Sequence, residues 1–199
     1  MTELIIDICY ECNSSCNYCQ WNKNNYDRKF KEIHLKDLLI PSESLRALNI
    51  DRIVLSGGEP TLSKNIQDIV KYYNQLELPI RIISNGILLN QKKIKIFSNL
   101  GIKEIVFSVN TLTIETNRML SSNQSILFKK ILDNLKNASA IRRDSPSIVS
   151  FLGLNVVLTS VNCNWYEIEK IISYSQINSI DQVKFQPVFD DGYLSLIHI

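Results

Sequence analysis

RIVLSGGEPTLS, residues 52–63, carries the fold in miniature. Arg52–Ser56 is a run of β-branched and aliphatic residues that reads as a buried strand. Gly57 and Gly58 then let another group approach the backbone closely, and Pro60 fixes the turn. Ser63 stands where a helix cap would, ahead of Lys64–Asn74, in which Ile66, Ile69, Val70 and Tyr73 share one face. Strand, polar glycine turn and amphipathic helix make one β/α unit.

The unit repeats. Leu4–Cys9, Ile80–Ser84, Glu104–Val109, Phe151–Thr159 and Gln182–Pro187 join Arg52–Ser56 as strand candidates. Each is nearly continuous in apolar residues rather than alternating, which points to a mostly parallel sheet covered on both faces. Between the strands lie helical patterns. Leu127, Ile131, Leu135 and Ala138 recur at helical spacing, and Asn164 with Glu167 reads as a capping box. Six strands with five intervening helices define an α/β fold. Right-handed crossovers allow an open doubly wound sheet or a barrel-like array, and periodicity does not choose. In either, ligands bind beyond the carboxyl ends of the strands. The loops there hold Cys12–Cys19, Gly57–Pro60, Asn85-Gly86, Asn110-Thr111 and Asn162.

Bulk properties narrow the function. The 199 residues are 45% hydrophobic with a formal net charge of +2, too balanced to argue for nucleic acid or an anionic membrane as partner. Lys92-Lys93-x-Lys95 and Arg142-Arg143 read as solvated helix faces. The start, Met-Thr-Glu-Leu-Ile-Ile-Asp, lacks the basic and apolar regions of a signal peptide. No apolar run approaches the ~18 residues of a membrane span. A cytoplasmic location is expected, where clustered cysteines serve metals or catalysis rather than disulfides.

The cysteine spacing is Cys12-x3-Cys16-x2-Cys19, three soft ligands in one loop. Three thiolates can hold three irons of a four-iron cluster and leave the fourth open to a small molecule. The alternatives are structural zinc, or a closed cluster, with Cys9 as fourth ligand. Cys9 ends an apolar strand, so joining the loop would break the strand; His34 is a distant fourth candidate. Cys9 and Cys163 read as packing residues, and Trp21 as a lid over apolar surface.

Taken together, Cys12-x3-Cys16-x-Tyr18-Cys19 and Leu55-Ser-Gly-Gly-Glu-Pro-Thr61 resemble the radical SAM superfamily, over nearly the whole chain. The resemblance implies a partial (β/α)6 TIM-like barrel of parallel strands over residues 1–199. It implies a [4Fe–4S] cluster on Cys12, Cys16 and Cys19, with S-adenosylmethionine on the open iron through its amino and carboxylate groups. Gly57, Gly58, Glu59 and Pro60 would form the ammonium-binding motif, and Tyr18 would sit near adenine. Ser108 and Asn110 stand where relatives show Ser-x-Asp toward ribose and methionine; Asn keeps the hydrogen bonding and loses the charge. Arg118 is the candidate for the methionine carboxylate, and Arg81, inside a strand, a poor one. Ser84-Asn85-Gly86 resembles the family's Ser/Thr-Asn-Gly. The fifth strand, Gly153–Thr159, departs from the family's Gly-x-Ile-x-Gly-x-x-Glu, and Asn155 and Gln186 are candidates to face the cavity.

The implied activity is reductive cleavage of S-adenosylmethionine to a 5′-deoxyadenosyl radical that takes hydrogen from a substrate. Such chemistry needs positioning and exclusion of water rather than a general base. It also needs an electron donor such as flavodoxin or ferredoxin. The motifs look most like the branch that modifies peptides and proteins. The alternatives are a small-molecule enzyme, acting on a cofactor or nucleotide, and a non-catalytic iron–sulfur or zinc module. After Pro187 a turn at Asp190-Asp191-Gly192 leaves too little sequence for a sixth helix, so a chain truncated before the barrel's closing element is expected.

Overall fold

Six strands pair in parallel in the unbroken order β1 (Thr2–Cys9), β2 (Ile50–Gly57), β3 (Ile80–Ser84), β4 (Ile102–Ser108), β5 (Phe151–Leu158), β6 (Gln182–Pro187). The computed structural model describes residues 2–19, 32–122 and 125–188. Trp21 and the turn expected at 190–192 lie outside the described residues. The unbroken order settles the architecture. A doubly wound sheet reverses its strand order at a switch point. An unreversed order keeps every crossover on one face, and the strand twist curls the sheet into a partial barrel.

The helices are α1 (Ser42–Ala47), α2 (Ile66–Asn74), α3 (Gln91–Leu100), α4 (Ile114–Leu120), α5 (Ser125–Asp144) and α6 (Trp165–Ile177). The fourth crossover therefore holds two helices where the apolar spacing indicates one. No described helix is long and apolar enough to cross a membrane. Two helix starts also differ from the sequence reading. Helix α2 begins at Ile66 with Asn65 as its N-cap, because Pro60–Leu62 forms a separate 3-10 turn that ends at Ser63. A distant carboxylate serves this terminus: Glu32 Oε1 accepts from Ser63 Oγ (2.6 Å), from Asn65 N–H (3.0 Å) and from Lys64 N–H. Desolvation opposes that charge, yet the Ser63, Asn65 and Lys64 donors hold the Glu32 carboxyl below its ordinary range. Asn164 caps α6 by accepting from Glu167 N–H at 3.1 Å, but the Glu167 side chain does not complete the box. It turns inward, buried, and accepts from the hydroxyls of Thr111 (2.5 Å), Thr116 (2.8 Å) and Thr113 (3.2 Å), tying α6 to the start of α4.

The expectation of a sheet covered on both faces needs correction. One face is apolar and helix-covered: Ile6, Ile8, Ile53, Leu55, Ile82, Ile105, Phe107, Leu154 and Val156 share a core with Ile69, Tyr73, Phe97, Leu135 and Ile171. The register places Glu3, Asp7, Arg52, Ser56, Arg81, Glu104, Ser108, Asn155 and Lys184 on the opposite, concave face. Among the described residues no helix lies over that face, so it can carry polar groups. Toward the amino ends of the strands, two arginines and two glutamates close a ring. Arg52 meets Glu3 (2.8 Å) and Glu104 (2.8 Å), and Arg81 meets Glu104 (2.9 Å) and Glu3 (3.3 Å). The Arg81 guanidinium also lies 4.1 Å from the centre of the Phe151 ring. Arg81 thus belongs to this floor, at the opposite end of the strands from the cysteine loop. Asn155 and Gln186 are on the concave face and partly accessible.

Candidate active site

The cysteine loop leaves the carboxyl end of β1 and is held from several sides. Gly58 N–H donates to Cys9 O (2.7 Å) and Glu59 N–H to Glu11 O (2.8 Å). This contact explains the two glycines. Gly57 has φ +128°, and a Cβ there would lie 2.2 Å from Cys9 O; a Cβ on Gly58 would lie 2.6 Å from Glu11 O. The space that a side chain would need is filled by the backbone of the cysteine loop. Opposite, the segment after α4 pairs with the loop: Asn17 N–H donates to Leu120 O (3.0 Å), Ser122 N–H to Ser15 O (3.1 Å), and Cys16 and Ser121 form an antiparallel bridge. From β3, Asn85 Nδ2 donates to Asn13 Oδ1 (2.8 Å). An antiparallel bridge between Cys9 and Glu32, with Ile33 N–H donating to Ile8 O (3.1 Å), fastens the chain that returns from the loop.

Cys12 is exposed and Cys16 and Cys19 are half-buried, whereas Cys9 is only 2% exposed and packs in the core. The Cys9 S–H donates to Glu11 O at 3.6 Å, and burial pushes its thiol up. Part of Cys12 faces solvent, yet enough protein surrounds its sulfur that desolvation pushes the thiol up to about 11, against the Ser14 N–H that donates to it at 3.4 Å. Ser14 Oγ lies 3.3 Å from Cys16 Sγ. His34 lies beside Asn65, its Nδ1 3.5 Å from Asn65 Nδ2. Cys163 is half-buried at the foot of α6.

Glu59 is completely buried. Its Oε1 accepts from Thr61 Oγ1 (2.5 Å), Thr61 N–H (3.0 Å) and Ser84 Oγ (2.8 Å), and its Oε2 accepts from Asn85 N–H (2.8 Å). Ser84 in turn accepts from Gly86 N–H (3.0 Å). Glu59 and Ser84 thereby lock the β2 loop to the β3 loop, and Pro60 is buried in the 3-10 turn below. Asn110 donates to the Tyr18 phenol and accepts from Val157 N–H (2.7 Å) through Oδ1, so it joins the cysteine loop to β5. Burial, then the neighbouring Cys16, raises the Tyr18 pKa, and the phenol stays protonated. Ser108 lies one register step below, opposite Asn155. Arg118 is exposed, with its guanidinium on Ser125 Oγ at 3.2–3.3 Å.

Two asparagines with structural weight carried no assigned role in the sequence reading. Buried Asn162 donates to Asn110 O (2.8 Å) and Val157 O (2.9 Å) and accepts from Thr159 N–H (2.7 Å), fixing the backbone that presents Asn110. Its place directly after the fifth strand was the available signal. Asn134, buried on α5, donates to Gly86 O (2.8 Å) and Ile87 O (3.2 Å). A buried asparagine among the apolar positions of a helix was the signal there.

The donor set suits an iron–sulfur cluster. Three accessible thiols sit on one short loop, with the Ser14 N–H and the Asn85 NH2 donating to Cys12 Sγ and the Ser14 hydroxyl in contact with Cys16 Sγ. Among the described residues no three His, Cys, Asp or Glu groups converge as a single ion would require. A cluster distributes its thiolates over separate irons and does not require that convergence.

A parallel half-barrel with a three-cysteine loop and a glycine–glutamate turn on its carboxyl rim defines a cofactor-binding barrel. The sequence matches the Radical SAM superfamily over residues 6–157, and the chain belongs to that superfamily. Enzymes of this superfamily carry a [4Fe–4S] cluster. The chain is 28% identical over 181 residues to a GTP 3',8-cyclase of Peptoclostridium acidaminophilum, covering 89% of this chain and 53% of that protein. It is 25% identical over 175 residues to a probable GTP 3',8-cyclase of Archaeoglobus fulgidus, covering 88% and 55%. The chain thus spans about half the length of these curated relatives. Streptococcus suis SuiB bound to S-adenosylmethionine shares the fold, with a TM-score of 0.71 at 20% identity over 96% of this chain and 42% of that one.

Proposed function

We propose that this chain is the cofactor-binding barrel of a radical SAM enzyme whose substrate is a small molecule of the nucleotide class. The observation that carries this reading is the 25–28% identity to GTP 3',8-cyclases across nearly nine-tenths of the chain. A peptide substrate is the first reading of the motifs; SuiB, also solved bound to a precursor peptide, is 20% identical to this chain, which speaks for the fold alone.

In this reading Cys12, Cys16 and Cys19 hold a [4Fe–4S] cluster, which when reduced supplies the electron that splits S-adenosylmethionine into methionine and a 5′-deoxyadenosyl radical. The chain's residues orient and shield. Glu59, Ser84 and Asn85 fix the two loops that flank the cysteines. Asn110, held by Val157 and Asn162, sets the rim beside Tyr18. The polar concave face, with Ser108, Asn155 and Lys184, offers hydrogen bonds to a polar substrate, and the Arg–Glu ring closes the floor below it. A held substrate presents one hydrogen in a near-attack position.

The test is anaerobic turnover with S-adenosylmethionine and dithionite, comparing GTP, other nucleotides and synthetic peptides, with 5′-deoxyadenosine and product read by mass spectrometry. The expected result is 5′-deoxyadenosine formation that rises with a nucleotide and not with a peptide. Stimulation and product with a peptide and none with nucleotides would overturn the substrate class.

A further inference from the structure

We propose that Ser14 and Asn85 are hydrogen-bond donors to the cluster's cysteine sulfurs and set its reduction potential. The proposal rests on the reading that Cys12, Cys16 and Cys19 hold an iron–sulfur cluster. Ser14 lies between the first two ligands and contacts both: its N–H donates to Cys12 Sγ at 3.4 Å, and its Oγ lies 3.3 Å from Cys16 Sγ. In the free thiol either atom of the second pair could donate. A metal-bound sulfur has lost its proton, so there the serine hydroxyl must be the donor. Asn85 adds a third donor from another element, its Nδ2 3.8 Å from Cys12 Sγ.

Asn85 is aimed rather than free to turn. Its N–H is bound to Glu59 Oε2 (2.8 Å), its Oδ1 accepts from Ile87 N–H (3.0 Å), and its Nδ2 also holds Asn13 (2.8 Å). The buried Glu59 thus reaches the cluster ligands through Asn85. One-electron reduction adds negative charge that spreads onto the sulfurs. Donors directed at those sulfurs favour the reduced form, and their removal favours the oxidised one. Ser14 and Asn85 are positioning residues in this scheme, since they touch the ligands and not the substrate.

The experiment is anaerobic reconstitution of the chain with iron and sulfide, followed by reductive titration with dithionite and redox mediators, with the reduced cluster read by electron paramagnetic resonance. Ser14→Ala removes the hydroxyl and keeps the N–H. The expected result is full iron and sulfide content with the reduced-to-oxidised ratio at a fixed potential lowered about tenfold, the weight of one hydrogen bond, or ~59 mV for one electron. Ser14→Thr restores the donor and should restore the ratio. Asn85→Leu should shift it in the same direction and by less, because its contact is longer, and it serves as the reporter should Ser14→Ala fail to take up iron. A loaded Ser14→Ala cluster with the wild-type ratio, or an unshifted Asn85→Leu where Ser14→Ala does not load, overturns the proposal while leaving the cluster reading intact. A wild-type chain that forms no [4Fe–4S] cluster overturns both.

Discussion

Replacing Glu59 with Gln separates two roles for the glycine–glutamate motif. If the carboxylate binds the methionine ammonium, the substitution weakens S-adenosylmethionine binding and leaves the fold alone. The geometry points elsewhere, because the carboxylate is fully buried and already accepts from four donors on Thr61, Ser84 and Asn85. Glutamine offers one carbonyl. Placed where Oε1 now stands, it keeps the three donors from Thr61 and Ser84 and turns its NH2 toward Asn85 N–H. The Asn85 bond is lost, at about 1.5–3 kcal/mol for a bond to a charged acceptor, and two donors then face each other. The three kept bonds fall from charge-assisted to neutral, at roughly half the strength. Together the change should cost about 3–5 kcal/mol, a large share of the ~5–15 kcal/mol that stabilises a typical domain. Urea unfolding of the iron-free chain, followed by circular dichroism under reducing conditions, measures it, with calorimetry of S-adenosylmethionine on the loaded chain in parallel. An unfolding free energy unchanged within about 1 kcal/mol together with lost affinity would refute the structural account and restore the ligand-binding one.

Other expectations follow from neighbouring features. Gly58→Ala places a methyl 2.6 Å from Glu11 O and 2.7 Å from Tyr10 O, so reconstituted iron and sulfide per chain should fall; full loading would show that the loops part at little cost. Glu104→Ala leaves Arg52 and Arg81 to share Glu3 and should destabilise by about 2–4 kcal/mol in urea while the cluster spectrum, at the other end of the strands, stays unchanged. Cys16→Ala should abolish cluster absorption, whereas Cys9→Ala should keep it and only lower the melting temperature, since Cys9 packs in the core. Burial raises the Asp181 pKa, but the Arg142 fork (2.9 and 3.0 Å) and Leu152 N–H (2.8 Å) outweigh it and hold the carboxyl below its usual range. Its contribution is therefore complete above about pH 4, near the unfolded value, and is lost as pH falls through the folded one. Asp181→Asn should flatten the acid limb of a stability–pH curve, and an unchanged limb would remove the pair from the account.

Much of the α/β framework was legible in the sequence because it is written in local burial. The strand candidates at Ile80–Ser84 and Gln182–Pro187 match the observed bounds, and the other four overlap theirs within a few residues, because each needs an apolar run wherever its partners lie. The cysteine loop and the glycine turn were legible for the same reason, since spacing along the chain is itself the signal. The resemblance to the radical SAM superfamily supplied the half-barrel that periodicity left open. In the structure the unbroken strand order produces it, a property of pairing between segments tens of residues apart. The polar concave face was misread because Arg52, Arg81 and Glu104 are single charges in otherwise apolar strands. Only their cross-strand register shows that they neutralise one another. Glu167 follows the same logic: it reads as half of a capping box, and it is buried by threonine hydroxyls at the start of α4. The donors from Thr61, Ser84 and Asn85 that surround Glu59 are likewise invisible in the spacing of its motif. A side chain's destination depends on which distant donors the fold brings within 3 Å, and one-dimensional spacing carries no information about that distance.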